Sequence, residues 1–99
     1  MLKVEPRELE ILRRILRAHV PGLEVWAFGS RVHGENLKPF SDLDLVLVTE
    51  TPLDALRMAE LKDALSASAL PFKVDVLDWS TTNERFQQVI RKNYLVVRF

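Results

Sequence analysis

The sequence contains no cysteine, which excludes disulfide bonds, zinc sites with thiolate ligands and cysteine nucleophiles. It also has no excess of charge of either sign, since 14 Lys and Arg balance 14 Asp and Glu. Dedicated nucleic-acid-binding domains usually carry a strong basic excess. The composition therefore argues against nucleic acid as a partner.

Long apolar runs are missing too. No stretch approaches the roughly 20 residues of a membrane-spanning helix, and the charged segment 1–6 does not have the pattern of a signal peptide. The lack of cysteine fits a reducing compartment. We therefore expect a cytoplasmic protein that makes no contact with membranes. A length of 99 residues suits one domain over 1–99 with a single modest core.

What the chain does have is a regular alternation of helical and strand patterns. This order predicts an α/β (α+β) fold in which helices flank a small mixed β-sheet. In chain order, the periodicity predicts a helix over about 6–19, a strand over 23–28, a short helix over 31–34, a strand over 43–48, a helix from Thr51 onward, a strand over 72–77, a helix after Thr81 and an edge strand over 94–99.

The same patterns assign caps, a loop and buried side chains. Ser30 is the expected N-cap of the short helix, and Thr81 with Glu84 has the spacing of a capping box. Asn36 and Pro39 mark a loop before the second strand. The expected inward-facing side chains of the last two helices are Leu53, Leu56, Leu61, Ala64, Leu65, Phe86, Val89 and Ile90.

Two aspartates stand at the entrance of the second strand. Residues two apart in a strand point to the same side, so Asp42 and Asp44 place two carboxylates on one face. Adjacent carboxylates repel each other, and a cation between them relieves that repulsion. Mg²⁺ suits the pair because it binds one or two carboxylates together with water and substrate phosphates. The alternative is a pair of solvated acids in a strand-entry turn.

A third acid, Asp75, lies in a later and otherwise apolar strand. If that strand pairs beside the one that begins at Asp42 and Asp44, the three carboxylates form a cluster. Such a cluster suits a site with two metal ions, in which one ion grips a triphosphate and the other activates an attacking hydroxyl. The alternative is a strand-end acid neutralised by Lys73 or Arg98.

A glycine–serine turn, Gly29–Ser30, follows the first strand. Gly29 lets the backbone approach a ligand closely, and Ser30 with the following N–H groups can bind phosphate at the start of a helix. Arg31 or Lys38 would add positive charge toward a triphosphate. The turn is not a P-loop, because the Gly-Lys-Ser/Thr of that motif is absent.

Together, Gly29-Ser30-Arg31-x-x-Gly34 and Ser41-Asp42-Leu43-Asp44-Leu45 resemble the signature of the DNA polymerase β-like nucleotidyltransferases. Within that superfamily the chain is similar to the minimal nucleotidyltransferase (MNT) family over nearly its whole length, and Asp75 matches the third carboxylate of the family. The resemblance implies a polymerase β-like core. It also implies catalytic and metal-binding roles for Asp42, Asp44 and Asp75, and nucleotide contacts from Gly29, Ser30, Arg31 and Ser41.

The resemblance further implies an activity and a partner. The activity is a Mg²⁺-dependent transfer of a nucleoside monophosphate, AMP from ATP, with two Mg²⁺ ions and release of pyrophosphate. MNT proteins are commonly paired with helical HEPN proteins in toxin–antitoxin modules, where the MNT antitoxin modifies a tyrosine of the HEPN toxin. A core this small also favours an acceptor surface supplied by another protein or by an oligomer.

Two other classes of function stay open on the sequence. A catalytically silent module would neutralise a helical partner by contact alone, and a transferase acting on a small molecule or RNA would carry the same acids. We interpret His33 as a solvated loop residue and Asp78 as a turn acid. Trp79 is expected to pack on the last helix rather than stack on a base.

Overall fold

A four-stranded sheet lies at the centre of the computed structural model, which describes residues 2–35 and 37–99. In chain order, the elements are α1 (Pro6–His19), β1 (Glu24–Phe28), α2 (Ser30–His33), β2 (Leu43–Val48), α3 (Ala55–Ser66), β3 (Val74–Asp78), a 3₁₀ turn (Trp79–Thr81), α4 (Glu84–Lys92) and β4 (Tyr94–Val97).

The sheet is mixed, with the strand order β3-β2-β1-β4. β1 pairs antiparallel with both β2 and β4, and β2 pairs parallel with β3. The parallel pair requires a crossover connection, which α3 supplies. The expected α/β fold with a small mixed sheet flanked by helices is therefore confirmed, and the expected edge strand is β4.

One face of the sheet carries the hydrophobic core. Leu43, Leu45 and Leu47 alternate along β2 and are fully buried, because residues two apart in a strand point to the same side. Helix α1 contributes Leu12 and Leu16 to the same buried cluster. This core fixes which way β2 faces, and so it directs Asp44 to the opposite side of the sheet.

The opposite face carries aromatic side chains. Trp26 stacks on Tyr94, with ring centroids 4.1 Å apart, and meets Trp79 edge-on at 5.2 Å. The Arg91 guanidinium of α4 lies 5.2 Å from the Trp79 ring, and Gln87 of the same helix donates to the Trp79 carbonyl at 2.8 Å. The expectation that Trp79 packs on the last helix is confirmed.

Two predicted caps are wrong by a small shift along the chain. Gly29 is the N-cap of α2, and Ser30 is its first helical residue. Asn83 caps α4, since its side chain accepts a hydrogen bond from the Phe86 amide at 2.9 Å. Thr81 instead belongs to the 3₁₀ turn. Asn36 of the predicted loop lies outside the described residues.

Three predicted core side chains are wrong as well. Leu56 is 67% exposed, Val89 is 52% exposed and Phe86 is 36% exposed. Leu56 stands in the first turn of α3, which begins at Ala55 rather than at the predicted Thr51–Pro52. Helix α4 buries only Ile90, so most of its surface stays exposed. Among the described residues, no helix has both the length and the apolarity to cross a membrane.

Candidate active site

The pairing of β2 with β3 places two aspartates side by side. Asp44 and Asp75 are register partners across the parallel pair, so their side chains leave the same face of the sheet. The expectation that the strand of Asp75 pairs beside that of Asp44 is confirmed. Burial raises the pKa of the Asp44 carboxyl above its ordinary value, and the negative charges of Asp75 and Asp42 raise it further. Both other predicted acids therefore act on Asp44.

Asp42 stands at the exposed mouth of this group. The amide of the next residue, Leu43, donates to the Lys73 carbonyl at 2.9 Å. That bond ties the backbone of the acid motif to the segment just before β3. The positions of Asp42 and Asp75 are thus set relative to each other by main-chain contacts.

The donor chemistry of this group fits a hard divalent cation. Among residues 2–35 and 37–99, no three His, Asp or Glu side chains are gathered into a ready-made metal cage. Mg²⁺ requires only one or two protein carboxylates, because water and substrate phosphates complete its coordination. The repulsion that raises the pKa of Asp44 is also what a bound cation would relieve.

A lysine shares the site with these acids. Lys73 Nζ lies 3.3 Å from Asp75 Oδ1. The ion pair expected under the alternative, in which Lys73 neutralises Asp75, is therefore present. Both side chains are substantially exposed, and exposed ion pairs contribute little to stability. Asp75 can therefore exchange this partner for a bound cation or an acceptor hydroxyl at small energetic cost.

An open cavity of about 810 Å³ adjoins the acids. It runs along β3, the edge strand next to β2. The sequence did not predict most of the residues that line this cavity. They come from both faces of the sheet and are brought together only after the strands pair. The lining residues of most consequence are Asp44, Asp75, Phe28, Phe86, Lys62 and Lys73.

The glycine–serine turn abuts the acids directly. Gly29 has a φ of +82°, a conformation that side-chain-bearing residues rarely adopt. A Cβ added at Gly29 would lie 3.3 Å from Cγ of Asp44 and even closer to its Oδ2. Glycine is therefore required here both by the backbone and by the space that Asp44 occupies.

The Arg31 side chain lies inside the fold rather than free at the turn. Its side chain is buried, with 5% exposure, and its guanidinium donates to the main-chain carbonyls of Lys3, Pro39 and Ser41. These bonds engage three nitrogens of the guanidinium with main-chain carbonyls, and a contact from Arg31 to phosphate stays a prediction.

Ser41 and the remaining polar candidates serve the loop. The Ser41 hydroxyl accepts from the Lys38 amide at 2.9 Å, so it closes a turn rather than standing free. His33 is exposed, and its Nδ1 accepts from the Glu35 amide at 3.0 Å. The expected solvation of His33 is confirmed, but its placement in a loop is wrong, because His33 is the last residue of α2.

Comparison with known proteins identifies the family. The family model described as "Polymerase beta, Nucleotidyltransferase" matches residues 10–98. The chain is also 50% identical over 97 residues to the probable protein adenylyltransferase MntA of Haemophilus influenzae, covering 98% of this chain and 84% of that protein.

Solved structures of toxin–antitoxin proteins share the fold. A crystal structure of a toxin–antitoxin with AMP-PNP has a TM-score of 0.72 and 26% identity, covering 91% of this chain and 72% of that chain. The tri-AMPylated Shewanella oneidensis HEPN toxin in complex with its MNT antitoxin has a TM-score of 0.68 and 25% identity, covering 93% of this chain and 70% of that chain. Because the family model matches residues 10–98, the chain belongs to the polymerase beta nucleotidyltransferase family.

Proposed function

We propose that this chain is a protein adenylyltransferase. It transfers AMP from ATP to a tyrosine hydroxyl of a HEPN-domain toxin encoded beside it, and so acts as an antitoxin. The observation that carries the proposal is the register pair of Asp44 and Asp75 next to Gly29, at the edge of an open cavity. The 50% identity to a probable protein adenylyltransferase supports the reaction, and the likeness to HEPN toxin complexes supports the partner.

The two ends of the site have different tasks in this proposal. Asp42 and Asp44 hold the cation that accompanies the nucleotide, while the turn at Gly29 and Ser30 lets main-chain N–H groups approach the triphosphate. Mg²⁺ held by these acids, expected as two ions, would neutralise phosphate charge and make the attacking hydroxyl more acidic. The raised pKa of Asp44 means that nucleotide binding weakens as the pH falls, since the cation and a proton compete for one carboxylate.

Asp75 has the third task, at the acceptor. Its carboxylate orients the tyrosine hydroxyl and takes the proton as the oxygen attacks the α-phosphorus. The bond between the α-phosphorus and the bridging oxygen breaks, and pyrophosphate leaves with that electron pair. Such a transfer depends on positioning and charge neutralisation more than on covalent help from the protein.

A second candidate is neutralisation of the toxin by contact alone. One observation favours it: a related solved structure is a HEPN toxin bound in a complex with an MNT antitoxin. The burial of Asp44 against two like charges opposes it. A protein that acted only by contact would be more stable with a neutral residue at this position.

A label-transfer experiment tests the proposal. The chain is incubated with labelled ATP, Mg²⁺ and the HEPN-domain partner, and products are followed by gel and mass spectrometry. We expect one or more AMP units on a partner tyrosine. Asp42→Asn and Asp44→Asn should abolish the label, whereas Asp75→Asn should still bind some ATP but transfer none.

The matched control is Asp63→Asn, which removes an exposed carboxylate from α3, away from the cavity lining, and should label like the wild type. Label that persists in Asp42→Asn would refute the assignment of that acid. A tight complex that shows no label with any nucleoside triphosphate would favour neutralisation by contact.

A further inference from the structure

We propose that Arg31 is a positioning residue of this site, which holds the glycine–serine turn in register with the segments that carry Asp42 and Asp75. The expected effect on nucleotide binding rests on the proposed function, whereas the contacts of Arg31 belong to the fold. Arg31 lies in α2, directly after Gly29 and Ser30. Whatever fixes its side chain therefore also fixes the turn.

The first link runs to the acid pair. Arg31 Nε donates to the Ser41 carbonyl at 2.8 Å, and one terminal nitrogen donates to the Pro39 carbonyl at 2.9 Å. Ser41 is the residue immediately before Asp42. These two bonds thus join the turn to the last residues of the loop that enters β2.

The second link runs to the N-terminal segment. The other terminal nitrogen of Arg31 donates to the Lys3 carbonyl at 2.8 Å, and the Lys3 amide donates back to the Arg31 carbonyl at 2.7 Å. This reciprocal pair joins the backbone of α2 to the N-terminal segment. The guanidinium is therefore fixed at three separate carbonyls.

The third link runs toward Asp75. The Arg31 guanidinium carbon lies 4.0 Å from the centroid of the Phe72 ring, and Phe72 is buried three residues before Asp75. A cation on an aromatic face is attracted by the ring, more strongly when both are withdrawn from water. All three acid positions are thus tied, through neighbouring residues, to one side chain.

The chemistry of arginine explains why a charge is buried here. Its planar guanidinium presents five N–H donors in a fixed fork, whereas lysine has a single compact ammonium on a flexible stem. A lysine at position 31 would keep the charge, but its single nitrogen would have to reach the carbonyls that three separate nitrogens of Arg31 contact. Small displacements of reacting groups can strongly slow an enzyme. Loss of the guanidinium fork should therefore impair the site.

The test compares Arg31→Lys and Arg31→Gln with a control that destabilises the core elsewhere. Leu12→Ala is that control, because Leu12 is fully buried in α1 and lies outside the cavity lining. Binding of Mn²⁺·ATP is measured by calorimetry at a temperature where all variants are folded. Hydrogen exchange of segments 37–43 and 72–75 is measured on the same samples without nucleotide.

We expect both Arg31 variants to lose roughly tenfold or more in affinity for Mn²⁺·ATP, with faster exchange in 37–43 and 72–75. Leu12→Ala should bind within about twofold of the wild type even if it is equally destabilised. If Arg31→Lys binds Mn²⁺·ATP like the wild type, or loses no more affinity than Leu12→Ala, the positioning role is overturned and Arg31 only stabilises the fold.

Failure of the proposed function would look different. A wild-type protein that binds Mn²⁺·ATP but labels no HEPN partner refutes the acceptor while the Arg31 comparison still holds. If the wild type binds no Mn²⁺·ATP, the hydrogen-exchange data decide whether Arg31 has the positioning role. Faster exchange in 37–43 and 72–75 for Arg31→Lys, beyond that of Leu12→Ala, supports the role, and equal exchange overturns it.

Discussion

At the scale of single residues, Asp44 is held where its charge is disfavoured. Its carboxyl is partly buried, and Asp75 and Asp42 add like charge, so its pKa is raised. For a carboxyl with a raised folded pKa, the folded state binds the proton more readily than the unfolded state. Without metal, its contribution to stability therefore becomes more favourable as the pH falls through the folded pKa. Affinity for a cation declines over the same range.

Asp44→Asn should consequently stabilise the protein while it abolishes nucleotide binding. Relief of a like-charge cross-strand pair predicts a gain of about 0.2–1 kcal/mol in the free energy of unfolding near neutral pH. Urea denaturation with a chelator present measures this gain, and calorimetry with Mn²⁺·ATP measures the loss of binding. Asp63→Asn should change neither quantity. A destabilised Asp44→Asn protein would show that the carboxylate has a structural role instead.

At the scale of elements, Asp78 joins the ends of β2 and β3 to the start of α3. Its carboxylate accepts hydrogen bonds from the Thr49 hydroxyl, from the Leu53 amide at 2.7 Å and from the Ser80 amide at 3.0 Å. Burial by itself would raise the pKa of Asp78, but the hydrogen bonds from Ser80, Thr49 and Leu53 outweigh it and lower the pKa below the ordinary value. The interpretation of Asp78 as a turn acid is confirmed.

Asp78→Asn should destabilise the protein by about 1–3 kcal/mol near neutral pH. The amide nitrogen of the new side chain would face an N–H or O–H donor that the carboxylate had accepted, and that donor would lose its acceptor. A lowered folded pKa contributes stability that is present above the unfolded pKa of about 3.8 and is lost as the pH falls through the folded value. The difference in the free energy of unfolding between wild type and variant should therefore be smaller near pH 3 than near pH 7, as denaturation at both pH values would measure. A gap of equal size at both pH values would contradict this account.

At the scale of the whole molecule, the core and the acids lie on opposite faces of one sheet. The core packs α1 and α3 against one face, whereas Asp44 and its register partner Asp75 leave the opposite face. Chemistry at the acids can therefore change without disturbing the body of the protein. Under the proposed function, binding of the toxin and its modification are separable properties.

A variant in which Asp42, Asp44 and Asp75 are all replaced by Asn tests that separation. We expect it to fold and to co-purify with the HEPN-domain partner, because no core contact is lost. It should fail to restore growth when the toxin is co-expressed, since AMP transfer requires the carboxylates. Full protection by this variant would establish neutralisation by contact alone.

Local sequence patterns were sufficient for the elements that depend on near neighbours. Helix α1 spans Pro6–His19 and β2 spans Leu43–Val48, as their periodicity predicts. The alternation in β2 was also enough to place Asp44 on the face opposite the buried leucines, whereas Asp42 lies just before the strand. The cap predicted at Ser30 was wrong by one residue, because α2 follows Gly29 without a side-chain cap. The cap predicted at Thr81 was wrong by two, because the Asn83 side chain accepts the Phe86 amide.

Only the tertiary structure decided which distant residues meet. The register that sets Asp75 opposite Asp44 joins positions 31 residues apart, and the inward turn of Arg31 depends on carbonyls from Lys3 and from the loop before Asp42. The exposure of Leu56 and Phe86 likewise follows from how their helices lie on the sheet. Side-chain periodicity reports which face of an element is apolar, but pairing and burial are set by contacts between elements. The sequence by itself thus determined the acids and their strands, and the packing decided what surrounds them.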